Sequence, residues 1–246
     1  MITSILIQRW SPIIHWNRRW DANHWKILLL LVACLVLCAC SQDSSEPAAV
    51  APPPSAAAYE GTIVAVGDSL TAGLRVSEEQ AYPAQLARRL RADGYAYRVV
   101  NAGISGETSS GALSRIDWVI TSLKPDIVIL ETGANDGLRG VDPVLLEANL
   151  DRLLTILVDQ QIQVVLAGMR MLPNLGPAYT RAFEVIYPRV ASKHDVLLVP
   201  FFLEGVAGQA ELNQADRLHP NADGYTRIVE TLYPHVIEAI QRHRSG

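Results

Sequence analysis

From about residue 60 onward, short runs of β-branched and small apolar residues alternate with longer segments whose apolar residues recur at helical spacing, and this alternation leaves few folds open. The runs are Thr62 to Val66, Arg98 to Asn101, Asp126 to Glu131, Gln163 to Ala167 and Val196 to Pro200. Near-continuous apolar runs of this length read as strands buried on both faces. Between them, Tyr82, Leu86 and Leu90 fall four apart with Arg88, Arg89 and Arg91 on other faces, as an amphipathic helix requires. Asp142 followed by Pro143 reads as an N-cap and first helical position, opening a helix that carries Leu146, Leu150, Leu153 and Leu157. The last helix holds Tyr225, Ile228, Val229, Leu232, Val236 and Ile240, with a bend expected near Pro234. Strands and helices in strict alternation imply right-handed crossovers, and therefore a parallel sheet covered on both faces. The expected fold is α/β, a three-layer α/β/α sandwich around a five-stranded parallel sheet.

A chain of 246 residues that is 49% hydrophobic has material for one such domain plus attachments. A net charge of -4 with mixed signs provides no field for neutralising phosphates, so no nucleic-acid partner is expected. The three cysteines, Cys34, Cys38 and Cys40, sit together in an apolar stretch. The folded part therefore has neither a disulfide framework nor a cysteine nucleophile.

That apolar stretch, "ILLLLVACLVLCA", follows a segment carrying Arg9, Arg18, Arg19 and Lys26 against one acid, Asp21. A basic region and then about thirteen apolar residues resemble a secretory signal, and fall short of the roughly twenty that a membrane span needs. "LCAC", Leu37 to Cys40, resembles the lipobox of bacterial lipoproteins, with "LVAC" before it as a rival; an uncleaved anchor or simple secretion are the alternatives. The expected organisation is a lipoprotein-type signal over 1–39, the attachment Cys40 with a Pro/Ala-rich tether over 40–60, and a catalytic domain over 61–246.

The carboxyl ends of parallel strands open on one edge, where such sheets place ligands. The first run ends in Gly67, Asp68 and Ser69, the second passes into "NAGISGETSSG" over 101–111, and the third into "ETGANDG" over 131–137. After the fifth comes "DRLHPN", with Asp216 three residues before His219. A serine hydroxyl becomes a useful nucleophile when a base takes its proton, and histidine suits that task because its ordinary pKa lies near neutrality. Asp216 is placed to hold the His219 ring in its productive tautomer. An oxyanion would need donors already in position, for which Gly106, the Asn135 amide and the Ser69 N–H are candidates. Each motif alone also fits a turn, a helix cap or solvated surface; four together at one sheet edge favour catalysis.

"GDSL" at 67–70, Gly106 within "NAGISGETSSG", "GAND" at 133–136 and "DRLH" at 216–219 resemble the four sequence blocks of the SGNH, or GDSL, hydrolases. "NDGLRG" at 135–140, "IYPRVA" at 186–191 and "LLVPFFLEGV" at 197–206 look like the bacterial periplasmic branch described as acyl thioesterase, lysophospholipase and arylesterase, and the likeness spans about 61–242. The resemblance implies the flavodoxin-like SGNH hydrolase fold. It also implies Ser69 as nucleophile, His219 as base and then acid, Asp216 as its orienting partner, and Ser69, Gly106 and Asn135 as oxyanion donors. Ala134 stands where the family commonly has Gly, and "MRMLPNLG" at 169–176 departs from its close relatives in a loop bordering the acyl groove. Arg139, Pro173 and Asn174 are the expected groove residues.

The expectation is a serine ester hydrolase acting on acyl, aryl or lysophospholipid esters, and on acyl thioesters, through an acyl-enzyme. No metal or cofactor is expected. The protein should be a periplasmic monomer touching the membrane only through its N-terminal lipid. Two alternatives are a carbohydrate O-deacetylase on the same scaffold and a non-catalytic lipid- or glycan-binding lipoprotein.

Overall fold

The computed structural model describes residues 59–245. The signal-type segment, Cys40 and nearly all of the tether lie outside the described residues, as does the side chain of Pro173.

Five parallel strands form one sheet: β1 (Gly61–Gly67), β2 (Tyr97–Gly103), β3 (Ile127–Glu131), β4 (Gln163–Ala167) and β5 (Leu197–Val199), in the spatial order β2-β1-β3-β4-β5. Ile63 to Val66 and Ile127 to Leu130 are fully buried, the burial on both faces that an apolar run without polar alternation foretells. The helices are α1 (Ser69–Ala72), α2 (Tyr82–Ala92), α3 (Ser109–Leu123), α4 (Ala134–Leu138), α5 (Pro143–Asp159), α6 (Pro177–Glu184), α7 (Ile186–His194) and α8 (Ala222–Ser245). One layer is built from α2 against α8, and the other from α3, α5 and α7 packed in series.

Local chemistry explains the boundaries. The Asp142 side chain accepts from the Val144 N–H at 2.9 Å, with Pro143 at the position whose missing N–H costs nothing. β3 starts one residue later than the sequence suggests, and at its entrance the Asp126 carboxylate accepts the Thr62 N–H at 2.7 Å, stitching two strand entrances together. β2 runs on to Gly103, in register with Gly67. β5 pairs only with β4 and stops before Pro200, which has no N–H to extend the ladder. The final helix continues unbroken through Pro234.

Two glycines bring the first strand's exit close to the sheet. A methyl group on Gly103 would run into the Ala72 and Thr71 backbone, and one on Gly67 would stand 2.5 Å from the carbonyl and the carboxylate of Glu131. Only glycine lets α1 lie directly on the ends of β2 and β3.

Candidate active site

Ser69 is the first residue of α1, at the carboxyl end of β1, and is 8% exposed. Asp68 caps that helix, its Oδ1 accepting from the Leu70 N–H at 2.9 Å. Its Oδ2 accepts from the Asn135 side-chain amide, also at 2.9 Å. The aspartate thus shapes the serine turn and fixes the rotation of an amide delivered from the end of β3. One Asn135 N–H is used in that bond, and the other remains for a ligand.

The acid–base pair arrives from the far end of the sequence. His219 Nε2 lies 3.0 Å from Ser69 Oγ, and His219 Nδ1 lies 2.9 Å from Asp216 Oδ2. With Nδ1 donating to the carboxylate, Nε2 is left to accept the serine proton. Asp216 is prepared by its own loop: Oδ1 accepts the Leu218 and His219 N–H groups, each at 3.0 Å. Those backbone donors, followed by the imidazole, hold the carboxyl well below its ordinary value, so it stays ionised throughout the neutral range. Gln214 closes the loop, its N–H donating to the His219 carbonyl at 2.8 Å and its amide to the Pro220 carbonyl at 2.9 Å.

Gly106 sits in the β2–α3 loop with φ of +81°, a conformation that suits glycine. Among the described residues neither its N–H nor that of Ser69 has a protein acceptor. The loop is tied down on three sides. Ile104 N–H donates to the Gly67 carbonyl at 2.8 Å. Arg139 Nη2 donates to the Gly106 carbonyl at 2.7 Å. Glu107 makes a two-pronged bond with Arg115, 2.6 Å on each arm. Arg139, expected to border the groove, holds the loop that carries Gly106. Of the remaining groove expectations, Asn174 is exposed in the 3-10 turn Pro173–Leu175 after β4.

Behind α1 lies a buried polar layer that motif reading did not single out. Glu131, fully buried at the end of β3, accepts from the Asp68 N–H at 3.2 Å and from the Thr71 hydroxyl at 2.9 Å through one oxygen. Its other oxygen has no partner, nor does the buried hydroxyl of Tyr225. Burial, and then repulsion from Asp68, raise its pKa well above the usual glutamate range, so the acid holds a proton where exposed glutamates do not. The same burial raises Asp68, opposed by donors from Leu70 and Asn135. Beside it, Asp136 accepts from the Ser109 N–H at 2.8 Å and hydroxyl at 2.5 Å, and Asn149 donates to Ser109 and Ser110, each at 2.9 Å. These bonds clamp the start of α3 against α4. An acid closing an apolar run, as Glu131 closes "IVILE", was the only signal in the sequence for this layer.

Ser69, Gly106, Asn135 and the Asp216–His219 pair, from four separate places in the chain, are thus gathered at one edge of the sheet. Residues 65–227 match the family described as GDSL-like Lipase/Acylhydrolase. The chain is 43% identical over 173 residues to "Esterase TesA" of Pseudomonas aeruginosa, covering 70% of this chain and 86% of that one. It is 38% identical over 174 residues to "Thioesterase 1/protease 1/lysophospholipase L1" of Escherichia coli, covering 71% of this chain and 82% of that one. Among solved structures, the esterase EstA from Pseudoalteromonas superposes with a TM-score of 0.71 at 31% identity, covering 74% of this chain and all of that one. A five-stranded parallel sheet with helices on both faces, a GDSL turn at the end of its first strand and this extent of match place the chain in the GDSL-like lipase/acylhydrolase family.

Proposed function

We infer that the chain hydrolyses carboxylic esters through an acyl-enzyme on Ser69. The observation that carries this reading is the continuous hydrogen-bonded line from Ser69 Oγ through the His219 ring to Asp216, closed between residues 150 positions apart. His219 Nε2 takes the hydroxyl proton as Oγ attacks the ester carbonyl, and the imidazolium is stabilised by the ionised Asp216. The carbonyl oxygen gains negative charge and is received by the Ser69 and Gly106 N–H groups and the free Asn135 N–H. His219 then returns its proton to the departing alcohol, leaving an acyl-serine. Water repeats the sequence, giving up a proton to His219 as it attacks, and the acid leaves as Ser69 recovers its hydrogen.

A fatty or aryl acyl group is favoured over an acetylated sugar. Large apolar side chains stand exposed in the segments that follow β2, β3 and β4 and beside the base: Ile104, Leu138 at the end of α4, Leu172, Leu175 and Leu218. Lysophospholipids and acyl thioesters fit the same donors, since the leaving group plays no part in holding the oxyanion. The lipobox-like Cys40 and the tether support a periplasmic enzyme held at a membrane by lipid.

Replacing Ser69 with alanine should abolish labelling by a fluorophosphonate and lower kcat by several orders of magnitude, since triad members act as a unit. Retention of more than about a hundredth of the wild-type kcat would remove Ser69 from the mechanism. A panel of p-nitrophenyl esters of graded length, a lysophospholipid and an acyl-CoA assigns the substrate, and mass spectrometry of the mature N-terminus tests Cys40.

A further inference from the structure

Asp216 Oδ2 has a second donor. Arg75 Nη1 lies 3.0 Å from it, on the same oxygen that receives the His219 Nδ1–H. The guanidinium comes from the segment just after α1, on the nucleophile's side of the site. That segment is joined to the base's loop a second time, because the Gln214 amide donates to the Leu74 carbonyl at 2.7 Å. Arg75 also holds an uncommon backbone shape, with φ of +62°. Five described residues other than glycine have positive φ. Lys124 and Asp195 are helix C-caps and Gln161 lies in the turn just past α5, the usual places for such a conformation. Arg75 and Arg217 are the other two: one bonds to Asp216, and the other is its immediate neighbour. Both lie in tight turns, Arg75 within the one closed by the Val76 N–H on the Gly73 carbonyl at 3.1 Å and Arg217 at the end of the one closed by its own N–H on the Gln214 carbonyl at 2.9 Å, and these turns bring the two loops against Asp216.

We propose that Arg75 is a positioning residue of the triad: it latches the nucleophile's loop to the base's loop, and by sharing Asp216 Oδ2 it moderates how strongly that carboxylate favours a protonated His219. The proposal rests on the reading of Ser69, His219 and Asp216 as the reacting groups. The sign follows from the charges. His219 faces Asp216 within its own loop, the buried Asp68 from the β1–α1 turn, and Arg75 from the segment after α1. Two carboxylates favour the imidazolium and one guanidinium opposes it. Removing the cation therefore leaves His219 more easily protonated, and the enzyme needs a higher pH to present a free base.

The test is the pH profile of kcat/KM in Arg75→Met, Arg75→Lys and Arg75→Gly on a soluble p-nitrophenyl ester. Because Arg75 is two-thirds exposed, with 66% of its side chain accessible, the acidic limb should move up by about 0.2–0.7 pH unit in the methionine variant, the scale of an exposed ion pair. The shift should shrink in 1 M salt, where the screening length falls to about 3 Å. kcat should drop about two- to tenfold as the latch loosens, with KM little changed. Lysine should hold the limb near its wild-type position. Glycine should lose activity like methionine while unfolding no earlier than wild type, since it adopts φ of +62° without penalty. A merely structural arginine would lower stability and leave the limb in place. Coincident limbs for wild type and Arg75→Met, or a shift indifferent to salt, overturn the proposal. If Ser69→Ala keeps its activity, the reading of the triad itself has failed; if Ser69 is required while all Arg75 variants behave as wild type, only the role of Arg75 has.

Discussion

Glutamine at position 131 should change how stability depends on pH while leaving the fold in place. Glu131 is fully buried, one oxygen accepting from Asp68 N–H and Thr71, the other without a partner. Glutamine has the same shape, can offer its carbonyl to both donors, and carries no titratable proton. In the wild type the folded-state pKa lies well above the ordinary 4.5 because of burial and the nearby Asp68. Above pH 4.5 the unfolded chain has released this proton and the folded chain still holds it, so folding binds a proton and stability falls as pH rises. One proton gives a limiting slope of about 1.4 kcal/mol per pH unit, so two units traversed while the folded acid stays protonated cost about 2.7 kcal/mol. That is a large share of the 5–15 kcal/mol typical of a domain. In the window from pH 5 to 9 the histidines, present in both proteins, drop out of the difference between them. Asp93, Asp151 and Asp216 are all held below their ordinary 3.8, and the buried tyrosines Tyr82, Tyr187 and Tyr225 above their ordinary 10. Urea unfolding followed by far-UV circular dichroism at constant ionic strength gives the two slopes, and any constant offset from the substitution drops out of their difference. The wild type should lose stability across the window more steeply than Glu131→Gln. Parallel lines would refute a buried protonated acid beneath the nucleophile.

Two further outcomes follow from the same turn. Asp68→Ala should cost about 1 kcal/mol for the lost helix cap and lower kcat about tenfold to a hundredfold with KM nearly unchanged, because the Asn135 amide loses the acceptor that aims it; equal effects on kcat and on substrate binding would contradict that division. Gly67→Ala should destabilise by about 2–3 kcal/mol, since its methyl group would meet the Thr71 hydroxyl and the Glu131 carbonyl, and a thermal midpoint equal to wild type would show that the turn can yield.

The sheet and its order of elements were readable because burial on both faces leaves near-continuous apolar runs, and Val128 to Leu130 or Val164 to Ala167 could hardly be anything else. Strand ends were less so, because they are set by partners distant in sequence: at the entrance of β3 the Asp126 side chain accepts the Thr62 N–H. The reacting groups were legible through four short motifs, each tied to one strand exit. What supports them was not. Arg75 sits in "GLRVSEE", where nothing local marks an arginine that reaches Asp216 from 141 residues away. Gln214 and Asn149 look like ordinary surface amides until the loops they bridge are placed. Side-chain hydrogen bonds between remote loops have no periodicity, so a one-dimensional pattern does not carry them.

The great distance in sequence between nucleophile and base has a consequence for how such a chain comes alive. Synthesis proceeds from the N-terminus, so the strand exits bearing Ser69, Gly106 and Asn135 are made long before His219, which is followed almost at once by the helix beginning at Ala222. A nascent or truncated chain can assemble the oxyanion donors and the alcohol while still lacking any base. Hydrolytic power is therefore withheld until the segment carrying Asp216 and His219 has been added and docked, a latency built into the order of the chain.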